Sequence, residues 1–459
     1  MKNKFINSIL LSAIGDSLGW ITEFEKFKEN IEKKYGTDTI VSFYNWEKYV
    51  GGRFNGYLDK IKLGSYSDDT QLLLSVARSI KPNGEIDNIY FSKTELPNWL
   101  LYARGAGRTI KNAARKIERK SATWNNNFFT FKAGKTIIDY RESGANGAAM
   151  RILPIALANF NNPDIIKENI FANSIITHGH PRAIVGAILY GFAINVMLQQ
   201  KSNSFNYETF LTEIGKDIES KFKPEFLNKP KYAIWVNEWN KNQTVEFISI
   251  YNQTVIEVLN SLRDIFKSLR DEKETKTALS DFGCFAPSTK GSGISTVIAG
   301  IYLACKYYLQ PEKAIIEAVN SIGSDTDSIA AFAGSLVGAL YDKNIIPIKW
   351  KNVQDVNYLN SIANTLYEIS LTKTDLDIKK NSITELKSIN EIKSDIYLEN
   401  QDVFFYPLGK GTIKKIDRQK TLTSGKYNLI IDVDFEIGQT CKFSKLLEIK
   451  KNNAEKYFD

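Results

Sequence analysis

The sequence is poor in the residues that build sulfur- and histidine-based sites. Its 459 residues include three cysteines, which are far apart and form no Cys-x-x-Cys pair, and two histidines, His178 and His180. This cysteine pattern argues against a disulfide framework and against a cysteine zinc site, and it favours a reducing compartment. Two histidines cannot build a three-histidine zinc centre.

Long apolar runs are also lacking. No uninterrupted apolar segment reaches the roughly 18 residues that a membrane span needs. The N-terminal stretch MKNKFINSILLSAIGDSLGW begins like a signal peptide, but its apolar run ends at Gly15-Asp16 without a clean cleavage site. We therefore expect a cytoplasmic protein with no membrane partner. The net charge of +8 permits an acidic partner without demanding one.

Two short clusters of acidic and hydroxyl side chains stand directly before apolar helix patterns. They are Ser67, Asp68 and Asp69 in the first cluster and Asp325, Asp327 and Ser328 in the second. A single such side chain is an ordinary helix N-cap, and capping remains the alternative for each cluster taken alone. A cap needs only one side chain, however, and neighbouring carboxylates repel each other unless a cation lies between them. If the two helix starts face each other, these oxygens would suit a pair of divalent cations.

The segments around these clusters give simpler predictions. Four-residue spacing of apolar side chains predicts a first helix that ends in Gly15–Gly19, with Asp16 as a capping or hydrogen-bonding acid and Glu23 in the next loop. Residues 36–66 indicate a long loop, and residues 102–120 a basic helix with a solvated face. Arg151, after a glycine-rich turn, suits a buried ion pair or a phosphate contact.

The C-terminal part differs in kind from the rest. The helical signal fades beyond Trp350, and residues 373–400 have the charged, polar composition of a linker. Residues 401–459 contain β-branched and aromatic runs separated by glycine turns, which predict a small antiparallel β-barrel. We therefore expect a helical domain over 1–372 and a small β domain over 401–459.

Several motifs, taken in order, resemble those of the ADP-ribosylglycohydrolase family. The resemblance spans roughly residues 5 to 350 and rests on GDSLG with Glu23, SDDT, GANGAAMR, THGHP, GSGIS and GSDTDSIAAFAGSLVGA. Two family threonines are Ser67 and Ser328 here, so a hydroxyl oxygen is kept at both positions. Ser324 replaces the second glycine of the family's GGD.

The resemblance implies an all-α fold and a hydrolase that removes ADP-ribose from a modified protein or nucleic acid. It implies two Mg²⁺ or Mn²⁺ ions held by Ser67, Asp68, Asp69, Asp325, Asp327 and Ser328. Glu23 matches the family's mobile acid and would act as general acid and base, with Asp68 and Asp69 completing the catalytic group. The diphosphate and ribose would lie against Gly144, Asn146, Gly147 and Met150, with His178 at the pocket border.

Two questions stay open at this level. The C-terminal segment resembles Tudor/SH3-like barrels, and its small excess of basic residues favours nucleic acid or an acidic protein as a partner. Packing on the helical core or on a second copy of the chain is the alternative. For the whole chain, the alternative function is an ADP-ribose-binding or immunity-type protein that neutralises an ADP-ribosylating toxin by binding it, with residues 36–66 and the C-terminal segment as contact surfaces.

Overall fold

The computed structural model describes residues 1–373, 386–392 and 396–449. A helical body is followed by a C-terminal antiparallel sheet. The α-helices are α1 (Lys2–Thr22), α2 (Lys28–Tyr35), α3 (Asp68–Arg78), α4 (Asn88–Tyr90), α5 (Leu96–Trp99), α6 (Arg108–Ile117), α7 (Leu153–Ala158), α8 (Pro163–Ser174), α9 (Pro181–Gln199), α10 (Tyr207–Lys221), α11 (Pro230–Asn240), α12 (Phe247–Arg270), α13 (Thr275–Asp281), α14 (Ser295–Lys306), α15 (Pro311–Val319), α16 (Thr326–Leu340) and α17 (Val356–Thr372). Single turns of other helix types lie at Phe91–Glu95, Tyr140–Glu142, Ala149–Arg151, Glu225–Asn228 and Ile348–Trp350.

Within the described residues, the strands form three antiparallel sheets. They are β1 (Trp46–Val50) with β2 (Tyr57–Ile61), β3 (Thr130–Ala133) with β4 (Thr136–Asp139), and the C-terminal sheet of β5 (Asp402–Phe405), β6 (Gly409–Lys420), β7 (Lys426–Phe435) and β8 (Thr440–Glu448). The first two are two-stranded hairpins. The predicted helical fold with C-terminal antiparallel strands is thus confirmed.

Glycines bring α1 and α16 into unusually close, antiparallel contact. A methyl group added at Gly15 would lie 2.3 Å from the Ala330 carbonyl oxygen, and one at Gly334 would lie 2.3 Å from the Leu11 carbonyl oxygen. At Gly19, it would lie 2.4 Å from the Cα of Asp327. Only residues without a side chain allow two helix backbones to approach this closely. The packing places the end of α1 beside the start of α16, and hence Glu23 near the second acidic cluster.

The prediction that the first helix ends at Gly15–Gly19 is therefore wrong. These glycines lie inside α1, which continues to Thr22, and Glu23 is its C-terminal cap residue. Buried packing against α16 outweighs the low helix propensity of glycine, which costs only about 1 kcal/mol per residue. Glu23 is half-buried rather than a solvated loop residue.

Residues 36–66 do not form a structureless loop. They contain the β1–β2 hairpin, with Trp46 opposite Ile61 and Val50 opposite Tyr57. Gly51 and Gly52 in its turn both have positive φ, a backbone conformation that glycine adopts readily. The aromatic and β-branched residues of Trp46–Val50 and the glycines after them are the sequence features that favour a hairpin, but the many polar residues obscured them.

The C-terminal sheet packs on the helical body. Its strand order is β5-β6-β7-β8, and the described strands form an open ladder rather than a closed barrel. Tyr102 makes edge contacts with Phe405 and Phe443, each with ring centroids 5.9 Å apart. Arg78 donates a hydrogen bond to Gln439 at 2.7 Å. The C-terminal sheet therefore packs on the helical core, as one of the two sequence-based interpretations of this segment predicts.

Part of the predicted linker joins this sheet. Ser388 forms a parallel bridge with Phe404, and the amide of Ile389 donates to the Phe404 carbonyl at 2.9 Å. Residues 374–385 and 393–395 of the predicted linker, and residues 450–459 of the predicted β domain, lie outside the described residues.

Two of the described helices are long and apolar enough to cross a membrane. They are α1 and α9, and in each the most apolar 18-residue window is 94% buried inside the protein. Such burial is typical of the central helices of a helical core, and length with hydropathy alone is weak support for a span.

Candidate active site

Capping of α3 is carried out by Asp16 and Ser67. The buried Asp16 carboxylate accepts hydrogen bonds from the backbone amides of Ser67 at 3.0 Å and Thr70 at 2.9 Å. It also accepts from the Thr70 hydroxyl at 2.6 Å. The Ser67 hydroxyl accepts from the Asp69 amide at 3.3 Å. Asp16 is therefore a capping acid, and the carboxylates of Asp68 and Asp69 are not needed as caps.

The two acidic clusters meet in the folded chain. The Ser328 hydroxyl donates a hydrogen bond to Asp69 Oδ2 at 2.7 Å, although 259 positions separate the two residues. Asp325 occupies the N-cap position of α16 but makes no side-chain capping bond. Instead, its Oδ2 accepts a hydrogen bond from the side-chain amide of Asn146 at 3.1 Å. Capping thus leaves these acids unexplained, and they converge between the starts of α3 and α16.

Burial and neighbouring negative charges raise the pKa values of Asp68, Asp69 and Asp327 and so oppose their ionisation. Burial raises the pKa of Asp68 to about 7, and the charge of Asp16 adds to the shift. Burial also raises the pKa of Asp69 well above its ordinary value, with Asp16 and Asp68 contributing. For Asp327, burial raises the pKa well above the ordinary value, and the neighbouring charge of Glu23 acts in the same direction. Concentrated negative charge in a buried position is the condition that a bound cation relieves.

Glycines form two walls of this cluster. A methyl group at Gly105 would lie 2.9 Å from Asp68 Oδ1, and one at Gly291 would lie 2.8 Å from Asp325 Oδ2. Both glycines have positive φ, so a side chain there is disfavoured by backbone conformation as well as by space. The indole nitrogen of Trp20, 3.2 Å from that same Gly105 position, is buried without a hydrogen-bond partner. An unpaired buried donor next to the acids suits a ligand or water molecule at this place.

The glycine-rich turn at 144–147 is tied to the turn at 291–293. The backbone amide of Asn146 donates to the Gly291 carbonyl at 2.9 Å, and the backbone amide of Gly293 donates to the Gly144 carbonyl at 2.9 Å. These bonds set the Asn146 side chain toward Asp325. Two glycine motifs that are far apart in the sequence therefore form one rim of the acidic cluster. Gly144 also lines a 230 Å³ polar cleft on that rim.

Gly147, Met150 and His178 lie beneath this turn. A methyl group at Gly147 would lie 2.8 Å from His178 Cε1, so only glycine lets the turn rest on the imidazole. His178 is buried, one ring nitrogen lies 2.8 Å from the Thr177 hydroxyl, and burial lowers its pKa to about 3. Met150 is also buried, and its amide donates to Asn146 at 3.0 Å. The arrangement supports the turn, and substrate contact by these residues stays a prediction.

Arg151 does not form the buried ion pair that was one of the two contacts predicted for it. It is fully buried, and its guanidinium donates to the Gly147 carbonyl at 2.8 Å, to Asn173 Oδ1 at 2.8 Å and to the Thr177 hydroxyl at 2.9 Å. None of these acceptors is a carboxylate. Burial lowers its pKa to about 9. Arg151 thus joins the glycine-rich turn to the THGHP segment from below.

We expect Arg151→Met to destabilise the fold strongly. Methionine fills most of the space but removes hydrogen bonds from four buried oxygen atoms, the three named above and the Asn173 carbonyl at 2.9 Å. Each unmet buried polar group costs about 1–3 kcal/mol. The total loss in the free energy of unfolding should be roughly 3–5 kcal/mol, measured by urea denaturation. Arg270→Met, which changes an exposed arginine paired with Asp271, is the matched control and should leave the stability almost unchanged. Equal stability of the two variants would contradict the role assigned to Arg151.

The donor chemistry of the cluster fits a hard cation. It offers carboxylate oxygens from Asp68, Asp69, Asp325 and Asp327 and hydroxyl oxygens from Ser67 and Ser328, the ligand types that Mg²⁺ and Mn²⁺ prefer. Among residues 1–373, 386–392 and 396–449, however, no three His, Cys, Asp or Glu side chains are arranged to hold a metal ion. The oxygens instead take part in the Ser328–Asp69 and Asn146–Asp325 hydrogen bonds, which coordination would have to replace. A two-metal site therefore stays a prediction.

Two cations near the cluster were missed by the sequence analysis. Lys111 on α6 and Lys48 on β1 both lie close enough that their charges act on the acids: Lys111 on Asp68, and Lys48 on Glu23. Lys48 belongs to the segment interpreted as a loop, so nothing indicated where it would lie. Lys111 belongs to the helix whose basic face was interpreted as solvated. Recognising the hairpin would have drawn attention to Lys48.

Comparison with known proteins gives the class of this chain. A sequence profile of the ADP-ribosylglycohydrolase family matches residues 1–375. The chain therefore belongs to the ADP-ribosylglycohydrolase family, whose enzymes hydrolyse glycosidic bonds and use divalent metals. The matched range covers the helical body and ends before the C-terminal sheet.

Individual relatives agree with this assignment. An ADP-ribosyl-[dinitrogen reductase] glycohydrolase of Rhodospirillum rubrum is 24% identical, covering 77% of this chain and 91% of that protein. ADP-ribosylhydrolase ARH3 of Danio rerio is 24% identical over 66% of this chain and 77% of that protein. ADP-ribosylarginine hydrolase Tri1 of Serratia proteamaculans is 22% identical over 77% and 76%. A solved ADP-ribosylglycohydrolase-related protein complex shares the fold, with a TM-score of 0.51, 17% identity, and coverage of 81% of this chain and 99% of that one.

Proposed function

We propose that this protein hydrolyses the bond between ribose C1″ of ADP-ribose and a modified acceptor, and that it requires two Mg²⁺ or Mn²⁺ ions. The observation that carries the proposal is the contact between Asp69 and Ser328, which joins two acidic clusters at facing helix starts. The cluster is buried except for the half-buried Asp325, and it is rich in the oxygen ligands that a cation-binding hydrolytic site requires.

Each group of residues has a task in this proposal. The ions would be held by Asp68, Asp69, Asp325 and Asp327 with the hydroxyls of Ser67 and Ser328. When bound, they supply positive charge that binds ribose hydroxyls and makes a water molecule more acidic. Glu23, half-buried at the end of α1, would pass the proton between water and leaving group. The backbone at Gly144–Gly147 would receive the diphosphate.

The acceptor is proposed to be a protein side chain. The names of the relatives from Rhodospirillum and Serratia specify dinitrogen reductase and arginine as what those enzymes act on. A nucleic-acid acceptor stays a further candidate, and so does binding of nucleic acid or an acidic protein by the C-terminal sheet. We place the protein in the cytoplasm, where its three cysteines, all buried and free, would stay reduced.

A binding-only protein is not favoured. In that alternative, residues 36–66 and the C-terminal segment would be the surfaces that contact a toxin. In the structure, the β1–β2 hairpin of the first segment is hydrogen-bonded to the C-terminal sheet, so these surfaces partly cover each other. The relatives named above are hydrolases.

We expect release of free ADP-ribose from at least one protein-linked conjugate, and we expect a chelator to abolish it. The assay is a panel of arginine-, serine- and nucleic-acid-linked ADP-ribose conjugates, each with Mg²⁺, with Mn²⁺ and with EDTA, read by chromatography of the released nucleotide. Loss of activity in EDTA should be reversed by excess Mg²⁺, because the carboxylates need the cation to offset their repulsion. Full turnover in EDTA would refute the metal requirement, and no release from any conjugate would refute the hydrolase.

A further inference from the structure

Strand β1 of the β1–β2 hairpin packs against Trp20 and Phe24, two residues that lie beside the acidic cluster. On β1, the indole of Trp46 meets the indole of Trp20 edge-on, with ring centroids 4.9 Å apart. The Lys48 ammonium lies 3.2 Å from the ring centroid of Phe24, the residue next to Glu23. Burial lowers the pKa of Lys48, and the negative charges of Glu23 and Asp68 oppose that shift. The hairpin thus carries a cation to the edge of a site that is otherwise acidic.

The other strand of the hairpin is held by the C-terminal sheet. Gln419 on β6 uses its side-chain amide as a strand would use a peptide group: it accepts from the Leu58 amide at 2.9 Å and donates to the Leu58 carbonyl at 3.0 Å. Asn428 on β7 donates to the Asn55 carbonyl at 2.9 Å, near the turn.

The C-terminal sheet also contacts the next residues of β2, Asp59 and Lys60. Lys442 on β8 donates to Asp59 at 2.6 Å and to the Lys60 carbonyl at 2.7 Å. Asp59 is 5% exposed, so this ion pair is largely shielded from solvent. At the tip, the Thr423 amide donates to the Phe54 carbonyl at 3.1 Å. These contacts run along β2 from the turn to the base.

The hairpin depends on such contacts for its position. Its two strands of five residues each form a sheet of their own. An isolated two-stranded hairpin is at best marginally stable in water. The sheet that holds it, residues 402–448, lies beyond the residues 1–375 that the family profile matches.

We propose that the C-terminal sheet is a positioning element of the active site, which fixes the β1–β2 hairpin so that Lys48 lies against Phe24 and attracts the carboxylate of Glu23. Lys48 is a positioning residue in this scheme, since it acts through Glu23 rather than on the reacting bond. Gln419, Asn428 and Lys442 act one step further away, through the hairpin. This inference rests on the proposed function for its kinetic readout, because Glu23 is the proton-transfer group there.

A double-mutant cycle between Gln419 and Lys48 tests the proposal in the full-length protein. Gln419→Ala and Lys48→Met are each expected to lower kcat by about tenfold with KM little changed, because displacing a catalytic group by a fraction of an ångström has effects of this size or larger. Leu58 is partly exposed, so water replaces the lost bonds and the fold is kept. The combined variant is expected to lose about tenfold as well, not about a hundredfold, because both changes remove the same interaction. Lys48→Arg, which keeps the charge, should restore most of kcat.

Matched controls separate positioning from general damage. Gln401→Ala removes an amide that accepts from the Leu398 backbone elsewhere in the C-terminal segment, and Lys60→Ala removes an exposed lysine of the same hairpin. Both should keep wild-type kcat. Amide hydrogen exchange over residues 46–61 should speed up in Gln419→Ala and in Asn428→Ala but not in the controls.

The outcomes distinguish this inference from the proposed function. Wild-type kcat in Gln419→Ala, or losses that multiply in the combined variant, would overturn the positioning role while leaving the hydrolase intact. If amide hydrogen exchange of residues 46–61 is unchanged in both Gln419→Ala and Asn428→Ala, the positioning role is overturned without any enzymatic measurement. Should no conjugate be hydrolysed by the wild type, the proposed function fails, and the exchange experiment still decides whether the sheet holds the hairpin.

Discussion

Asp325→Ala is expected to lower kcat/KM on the order of 10³-fold, the loss typical of removing a principal charged group from an active site. Asp325 accepts the hydrogen bond from Asn146 and contributes to the negative charge around Asp327 and Glu23. Its removal takes one carboxylate from the α16 side of the cluster. Binding of Mn²⁺, measured by calorimetry, should weaken in parallel. Asp68→Ala combined with Asp69→Ala removes the α3 side and should have the same consequences.

The fold should survive the Asp325 substitution, which makes the result interpretable. Asp325 stands at the N-cap position of α16 but makes no side-chain capping bond, so alanine there costs the helix little. Glu274→Ala is the matched control. Glu274 is the acidic N-cap residue of α13, and its carboxylate accepts a hydrogen bond from the Thr277 amide at 2.7 Å on an exposed surface. We expect it to keep full activity. An Asp325→Ala enzyme with wild-type kcat/KM would end the assignment of the active site.

Glu23→Gln is expected to lower kcat by about 10²–10³-fold while binding of ADP-ribose stays unchanged. Glutamine has the same size but cannot exchange a proton at neutral pH, and general acid–base catalysis contributes an effect of about this size. Binding should persist because the proposed phosphate and ribose contacts lie at Gly144–Gly147 and at the acidic cluster. Single-turnover release of ADP-ribose gives the rate, and calorimetry with ADP-ribose gives the affinity.

Glu25→Gln controls for the local change of charge. Glu25 lies two residues away, and its carboxylate forms an ion pair with Lys34 rather than with the cluster. Its activity should match that of the wild type. If Glu23→Gln turns over at the wild-type rate, Glu23 has no part in proton transfer, and the inference about Lys48 loses its target at the same time. The Asp325 result is independent of both.

The two close helices show how much of the core the sequence disclosed. The run from Ala330 to Gly338 has small residues at helical spacing, and the structure places Gly334 and Gly338 directly on the backbone of α1. What the sequence did not disclose is that Gly15 packs against the start of this run, at Ala330, and that Gly19 packs against Asp327 just before it. A glycine at the end of an apolar pattern is a common stop signal, and only the facing helix shows that it is a packing surface instead.

For the C-terminal part, the sequence predicted the strands but not how they are arranged. Its β composition was readable, because β-branched and aromatic residues between glycine turns favour strands. Whether such strands close into a barrel or stay an open sheet depends on what covers their faces and edges. In this protein, Tyr102 and the hairpin of residues 46–61 supply that cover, and both come from the helical part of the chain.

The sequence by itself identified the class, which the family profile confirms, and it predicted the ligand chemistry from two acidic and hydroxyl clusters at helix starts and from the small number of histidines and cysteines. Local patterns suffice for this because side-chain chemistry and helix starts are written over a few consecutive residues. Only the tertiary structure decided which groups act together. It gave the capping task to Asp16, brought Ser328 to Asp69, buried Arg151 without a carboxylate and set Lys48 beside Phe24. These pairs are separated by up to hundreds of positions, and their contact follows from how helices and sheet pack, which no local pattern encodes.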